Sequence, residues 1–220
     1  MTDTRGLDLQ IDYWNNVGPT KPLAHPVNLE QLGRYVQPSS RILDYGCGYG
    51  RALATLQANG YTNLTGIDPA GGMITAARKN FPSIRFDVVE DYRRINLPAA
   101  SFDAVLLFAV LTSVPTDEGQ RAIVSEIERL LSPNGILYIS DMWLQKDARN
   151  IERYVEGEKK YHIYGMFDLS DGATVRHHDP AWIETLTGGF ETLHLEELPV
   201  STMNGNPATA FQWFGRKPTS

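Results

Sequence analysis

Short apolar runs alternate with amphipathic stretches through the first two thirds of the chain. Arg41–Tyr45 (RILDY), Leu64–Asp68 (LTGID), Ile84–Val89, Phe102–Phe108 (FDAVLLF) and Gly135–Ser140 (GILYIS) read as strands. The unbroken run from Phe102 to Phe108 suits a strand buried on both faces. Between these runs, Arg51–Ala58 and Gly72–Asn80 carry apolar residues at helical spacing, and Asn59-Gly60 and Phe81-Pro82 stop them. Glu118–Leu131 is the clearest helix, with Ile123, Ile127, Leu130 and Leu131 on one face and Thr116 as its cap. Upstream, Asn28 is an N-cap for Leu29–Val36, and Pro38 ends that helix. The alternation predicts an α/β fold: a parallel sheet wrapped by helices on both faces.

The rhythm changes after Asp141. Lys146–Lys160 is polar and reads as loop-like, as does Asn15–Pro26. Ile163–Leu169 and Ala173–His177 flank Asp171-Gly172, a hairpin turn. Asp179-Pro180 is an N-cap followed by proline at the first helical position, which predicts a short helix over Ala181–Leu186. Glu191–Ser201 and Ala208–Gly215 flank the turn Asn204-Gly205-Asn206-Pro207 and read as an antiparallel pair completing the sheet.

Composition narrows the classes. At 220 residues the chain is long enough for one sizeable core and short for two. No apolar run approaches the ~18 residues needed to span a bilayer. Met1–Gln10 is polar with no apolar h-region, so neither a secretory signal nor a membrane partner is expected. The net charge of −6 gives no general field for nucleic acid. Cys47 is the single cysteine, which excludes an internal disulfide and a multi-cysteine zinc site. A reducing cytoplasm is the expected compartment, and no metal site is expected.

The chemistry concentrates at the end of the first strand. Gly46, Gly48 and Gly50 follow Tyr45, where glycines let main-chain N–H groups approach a ligand closely. Asp68 ends the second strand, where a carboxylate can accept hydrogen bonds from ribose hydroxyls. The pair points to a nucleoside. A dinucleotide fingerprint would place its third glycine where Arg51 stands, which argues against NAD(P)-dependent oxidoreduction. Asp44, two residues before the loop, suits a ligand carrying a cation better than a pyrophosphate.

These residues, with ILDYGCGYGR (42–51), GIDPAGGMI (66–74), VEDY (89–92), LPAASFDAVLLF (97–108) and LLSPNGILYIS (130–140), resemble the class I S-adenosylmethionine-dependent methyltransferases. The resemblance implies a Rossmann-like sheet of seven strands in the order 3-2-1-4-5-7-6, with the last strand antiparallel and a small lid insert after strand five. It implies S-adenosyl-L-methionine as cofactor and S-adenosyl-L-homocysteine as product. Gly46, Cys47 and Gly48 would lie along the methionine part, with Asp44 and Arg51 about the loop. Asp68 would hold the ribose hydroxyls. Pro69, Met73, Asp91 and Tyr92 would surround the adenine, and Phe108 would lie beneath the cofactor. Tyr13 and Lys21 would close over it from the N-terminal segment. On this reading 1–220 is a single domain: an N-terminal cap (1–38), a cofactor-binding core (39–141), a lid and acceptor insert (142–180), and a C-terminal helix and hairpin (181–220).

Methyl transfer is an in-line displacement, so the enzyme's main tasks are alignment and exclusion of water. The expected reaction is O- or N-methylation of a small-molecule acceptor by a monomer or homodimer. The aromatic and histidine-rich insert supplies the candidates for the acceptor site. Trp14, Trp143, Tyr164, Phe167 and Arg176 are expected to contact the acceptor, and His177 or His178 to act as base or orienting group. Neighbouring strand residues face opposite ways, so only one of the two histidines can face the pocket. A non-methylating binding scaffold on the same fold is the alternative reading.

Overall fold

The computed structural model describes residues 4–18, 21 and 25–219. Five parallel strands form the centre: β1 (Arg41–Tyr45), β2 (Asn63–Asp68), β3 (Arg85–Val88), β4 (Phe102–Phe108) and β5 (Leu131–Met142). A short hairpin, β6 (Met166–Asp168) and β7 (Thr174–Arg176), stands apart as a sheet of its own. β8 (Glu191–Ser201) and β9 (Pro207–Arg216) complete the main sheet, in the order β3-β2-β1-β4-β5-β9-β8. β9 pairs antiparallel with both β5 and β8, so it alone runs against the others. With the small hairpin set aside, this is the expected 3-2-1-4-5-7-6 order.

Period-two alternation divides the core between the two faces. Leu43, Val105, Leu107, Leu137 and Ile139 meet Ile123, Ile127 and Leu130 of α6 (Asp117–Leu130) and Ile183 of α8 (Pro180–Thr187). Ile42, Leu106, Ile136 and Tyr138 meet Leu32 of α3 (Leu29–Tyr35), Leu53 and Leu56 of α4 (Arg51–Ala58), and Ile74 of α5 (Gly71–Asn80). Each such buried aliphatic side chain contributes about 1.5–3 kcal/mol relative to exposure. The caps are those the sequence indicated. Asn28 accepts from Gln31 N, Thr116 from Gly119 N and Asp179 from Trp182 N.

Three segments differ from the sequence pattern. The turn at Ser132–Gly135 lies inside β5 as a bulge, where pairing jumps from Phe102↔Leu131 to Ala104↔Ile136 and Asn134 takes φ 63°. Lys146–Lys160 is mostly not a loop. It holds α7 (Ala148–Tyr161), capped by Asp147, whose side chain accepts from Asn150 N at 3.1 Å. The N-terminal segment forms α1 (Thr4–Leu9) and α2 (Ile11–Asn16), and Asn15 Oδ1 accepts from Gly72 N on α5 at 2.8 Å. No helix among the described residues is long and apolar enough to cross a membrane.

Candidate functional site

Strand order reverses between β1 and its neighbours β2 and β4, so a crevice opens beyond their carboxyl ends. The loop after β1 fills its floor. Gly46, Gly48 and Gly50 take φ 79°, 53° and 86°, a left-handed conformation that disfavours side chains. Gly46 N and Cys47 N both donate to Ile67 O, at 2.8 and 2.9 Å. Gly48 N donates to Asp68 Oδ2 at 2.9 Å, and Ala70 N to Asp68 Oδ1 at 2.8 Å. The carboxylate that ends β2 is thereby tied to the loop that ends β1.

Both strand-end carboxyls are buried. Burial pushes Asp44 up to about 7, and the nearby Arg51 guanidinium pulls it back only in part. Burial pushes Asp68 up to about 6, against its two main-chain donors. Arg51 begins α4 and also donates to the His25 carbonyl. Burial raises the Cys47 thiol well above its ordinary value, so it is a neutral filler at this pH range and no nucleophile.

Beside the loop is a narrow cavity of about 340 Å³, walled by Gly46, Ile67, Pro69, Val89, Tyr92 and Val110 and roofed by Asp8 and Leu9 of α1. Asp8 is a buried hub. It accepts from the Tyr92 hydroxyl at 2.9 Å, from Thr116 Oγ1 at 2.8 Å and from Thr116 N at 3.2 Å. Asp91 accepts from Arg93 N at 3.0 Å in the turn before it. Met73 is buried under Trp14 and Gly18, and Phe108 lies edge-on to Tyr138 with ring centroids 4.6 Å apart.

A second cavity, of about 710 Å³, adjoins the ends of β4 and β5. Of the residues expected at the acceptor, Trp14, Phe167 and His177 line it, together with Thr112, Ser113 and residues of the β8–β9 tip, Ser201 to Asn204 and Asn206. His25, Arg149 and Arg153 also line it, and the sequence did not single these three out as site residues. The i, i+4 spacing of the two arginines on α7 was the available signal, hidden once that stretch read as a loop. Burial, and then Arg51, lower His25 to about 4; burial, and then Arg153, lower His177 to about 3. Both imidazoles are therefore neutral. His25 Nδ1 meets Ser140 Oγ at 2.9 Å, and His177 Nδ1 meets the Tyr154 hydroxyl at 2.5 Å.

Several expected site residues lie elsewhere. Trp143 is in the core, stacked on Phe211 at 3.9 Å between centroids, because it directly follows β5 and its N–H still donates to Thr209 O on β9. Arg176 turns away from the cavity to Asp117, at 2.6 Å, and lies over the Trp182 ring. Tyr164 is 41% exposed and outside both cavities. His178 sits behind the wall, fully buried, with Nε2 3.6 Å from Asp141 Oδ1; strand alternation puts His177 alone on the cavity side. The Lys21 carbonyl accepts from the Tyr49 hydroxyl of the glycine loop at 3.3 Å. Lys21 Nζ pairs with Asp171 Oδ2 at 2.6 Å and donates to Asn204 Oδ1 at 2.7 Å. The Tyr13 hydroxyl donates to the same Asp171, at 3.2 Å. These bonds join the N-terminal segment, the β6–β7 turn and the β8–β9 tip into a roof.

The residues at the crevice fit S-adenosylmethionine. A glycine-rich loop lets the main chain approach closely, two desolvated carboxyls suit a cation and hydroxyl donors, and an apolar slot lies beside them. The methyltransferase domain family matches residues 43–139. A ubiquinone biosynthesis O-methyltransferase of Xanthomonas campestris pv. campestris is 34% identical over 139 residues, 59% of this chain and 56% of that protein. The chain thus spans little more than half the length of the first curated relatives it matches. A SAM-dependent methyltransferase from Methanosarcina mazei superposes with a TM-score of 0.81 at 25% identity, covering 86% of this chain and 98% of the other. The cyclase SpnF superposes with a TM-score of 0.64 at 18% identity, over 99% of this chain and 95% of its own, a likeness of fold alone. On strand order, loop conformation and these matches, the chain has the fold of the class I S-adenosylmethionine-dependent methyltransferases, and its residues 43–139 match the methyltransferase domain family.

Proposed function

We propose that the protein transfers a methyl group from S-adenosylmethionine to a small-molecule acceptor bound in the larger cavity. The observation that carries this reading is the bond between Gly48 N and Asp68, which sets the glycine loop and a buried carboxylate around one crevice. The Gly46–Gly48 loop and Asp44 would hold the methionine part, Asp68 the ribose, and Pro69, Asp91 and Tyr92 the adenine side. Bound there, S-adenosylmethionine supplies a methyl carbon activated by its sulfonium centre.

The chain's own residues align the acceptor and keep water out. The roof formed by Tyr13, Lys21, Asp171 and Asn204 covers the site. Tyr154 accepts from Gln145 N at 3.1 Å, so its own proton is available to His177 Nδ1. That leaves the His177 proton on Nε2, making His177 an orienting donor. Neither imidazole is a strong base. An imidazole near 4 facing a phenol near 10 makes full proton transfer uphill by about 8 kcal/mol. Placement and desolvation carry the rate.

The test is formation of S-adenosylhomocysteine from S-adenosylmethionine in the presence of a small-metabolite fraction. Acceptor-dependent product with the wild type, absent in Asp68→Ala, supports transfer. Tight cofactor binding without turnover on any fraction supports the scaffold reading instead.

A further inference from the structure

The larger cavity has an unbalanced charge. Arg149 and Arg153, one turn apart on α7, both line it, and no aspartate or glutamate does. Neither guanidinium has an ion-pair partner among the described residues. Arg149 donates to Asn206 Oδ1 at 2.8 Å, and Arg153 donates to Asn150 Oδ1 and lies 3.8 Å from the Phe167 ring centroid. Arg153 Nε is buried with no hydrogen-bond partner at all. Asp147 lies near the pair, but its carboxylate caps α7 through Asn150. On the outer side of α7 both arginines also border an open groove with Glu152, Glu156 and Asp168, of which Glu156 and Asp168 are held by Lys159 and Lys160, each at 2.6 Å.

Arg153, half-buried against the Phe167 ring, is thus brought beside a second like charge, the exposed Arg149. A half-buried guanidinium whose Nε has no acceptor is costly, and the cost is offset by an anion that accepts its N–H groups in a fork. His177, with its proton on Nε2, adds a third donor on the same wall, and that nitrogen has no hydrogen-bond partner among the described residues. Phe167, Trp14, Leu169 and Val175 make the remaining wall apolar or aromatic.

We propose that the molecule accepted by this cavity is an organic oxyanion: a carboxylate, or a phosphate ester, carried on a compact apolar or aromatic body, with Arg153 and Arg149 gripping the anionic group. The proposal rests on the methyltransferase reading only in calling that molecule the acceptor; the anion preference is a property of the cavity. The probes are benzoate, phenyl phosphate and the neutral benzamide, measured by calorimetry with and without S-adenosylhomocysteine. At least one anion is expected to bind about tenfold or more tightly than benzamide, and the better of the two identifies the oxyanion. Arg153→Met should erase that preference, bringing anion affinity down to that of benzamide, and Arg153→Lys should restore part of it. Arg149→Met, at an exposed position, should weaken the anion by a smaller factor and guards against misfolding of the Arg153 variant. Equal binding of anions and amide, no binding of any probe, or a preference surviving both methionine variants would overturn the proposal. Failure of S-adenosylhomocysteine to bind would count against the methyltransferase reading, while the cofactor-free comparison still decides the anion preference.

Discussion

Gly48 and Asp68 are joined by a 2.9 Å hydrogen bond from main-chain N–H to carboxylate, which couples the loop after β1 to the end of β2. Asp68→Ala removes both the coupling and an acceptor for ligand hydroxyls. It should weaken S-adenosylhomocysteine binding by ~1–3 kcal/mol. Asp68→Asn, which keeps one acceptor oxygen, should cost less. Calorimetry reads both, and unchanged affinity in the alanine variant would remove Asp68 from the site.

Binding should release protons. Asp44 and Asp68 have folded-state values of about 7 and about 6, above the ordinary carboxylate range because both are buried. Below those values both carry protons. A cation near Asp44 and hydroxyl donors at Asp68 favour the ionised forms, so affinity for S-adenosylmethionine should rise as pH goes from 5.5 to about 7.5. At pH near 6, binding enthalpies in buffers of different ionisation heat should differ by the protons expelled. A buffer-independent enthalpy at that pH, or an affinity that falls as pH rises, contradicts the assignment.

The roof should control release. The Lys21–Asp171 pair is partly shielded and shares Asp171 with the Tyr13 hydroxyl. Lys21→Met should cost about 1 kcal/mol of closure, speeding S-adenosylhomocysteine dissociation about fivefold. The melting temperature should shift by no more than roughly 2 °C, since only the lid is touched. Stopped-flow displacement is the measurement, and an unchanged rate would mean that these bonds do not gate the site.

Asp8 should matter for stability. Its side chain is fully buried, and alanine would strand the donors of Tyr92 and Thr116. The expected loss is about 2–4 kcal/mol, lowering the melting temperature by roughly 5–15 °C. A shift below roughly 2 °C would show that water replaces the carboxylate without cost.

The sheet was legible because its strands are unbroken apolar runs closed by turn residues, and a strand such as Phe102–Phe108 admits one reading. The glycine loop was legible because its main-chain conformation restricts which residues can stand there, and Asp68 because a carboxylate ends the neighbouring strand. α7 was not legible, because its pattern is inverted. Ile151 and Val155 face solvent at 43% and 42% exposure, whereas Asn150, Tyr154 and Gly157 face inward. Gly157 is required there, since a Cβ would stand 1.8 Å from Met166 O. Asp8, His25, Arg149 and Arg153 reach their places only through packing of segments far apart in sequence. Trp143 and Arg176 looked like acceptor contacts from their chemistry alone; Phe211 and Asp117 hold them away from the cavity.

A crystal structure of the protein grown with S-adenosylhomocysteine decides whether the crevice is the nucleoside site. The nucleoside should lie along Gly46–Gly48, with its ribose hydroxyls on Asp68 and its base in the slot beside Pro69 and Tyr92. A crevice without the nucleoside, or the nucleoside seated anywhere else on the chain, would contradict it.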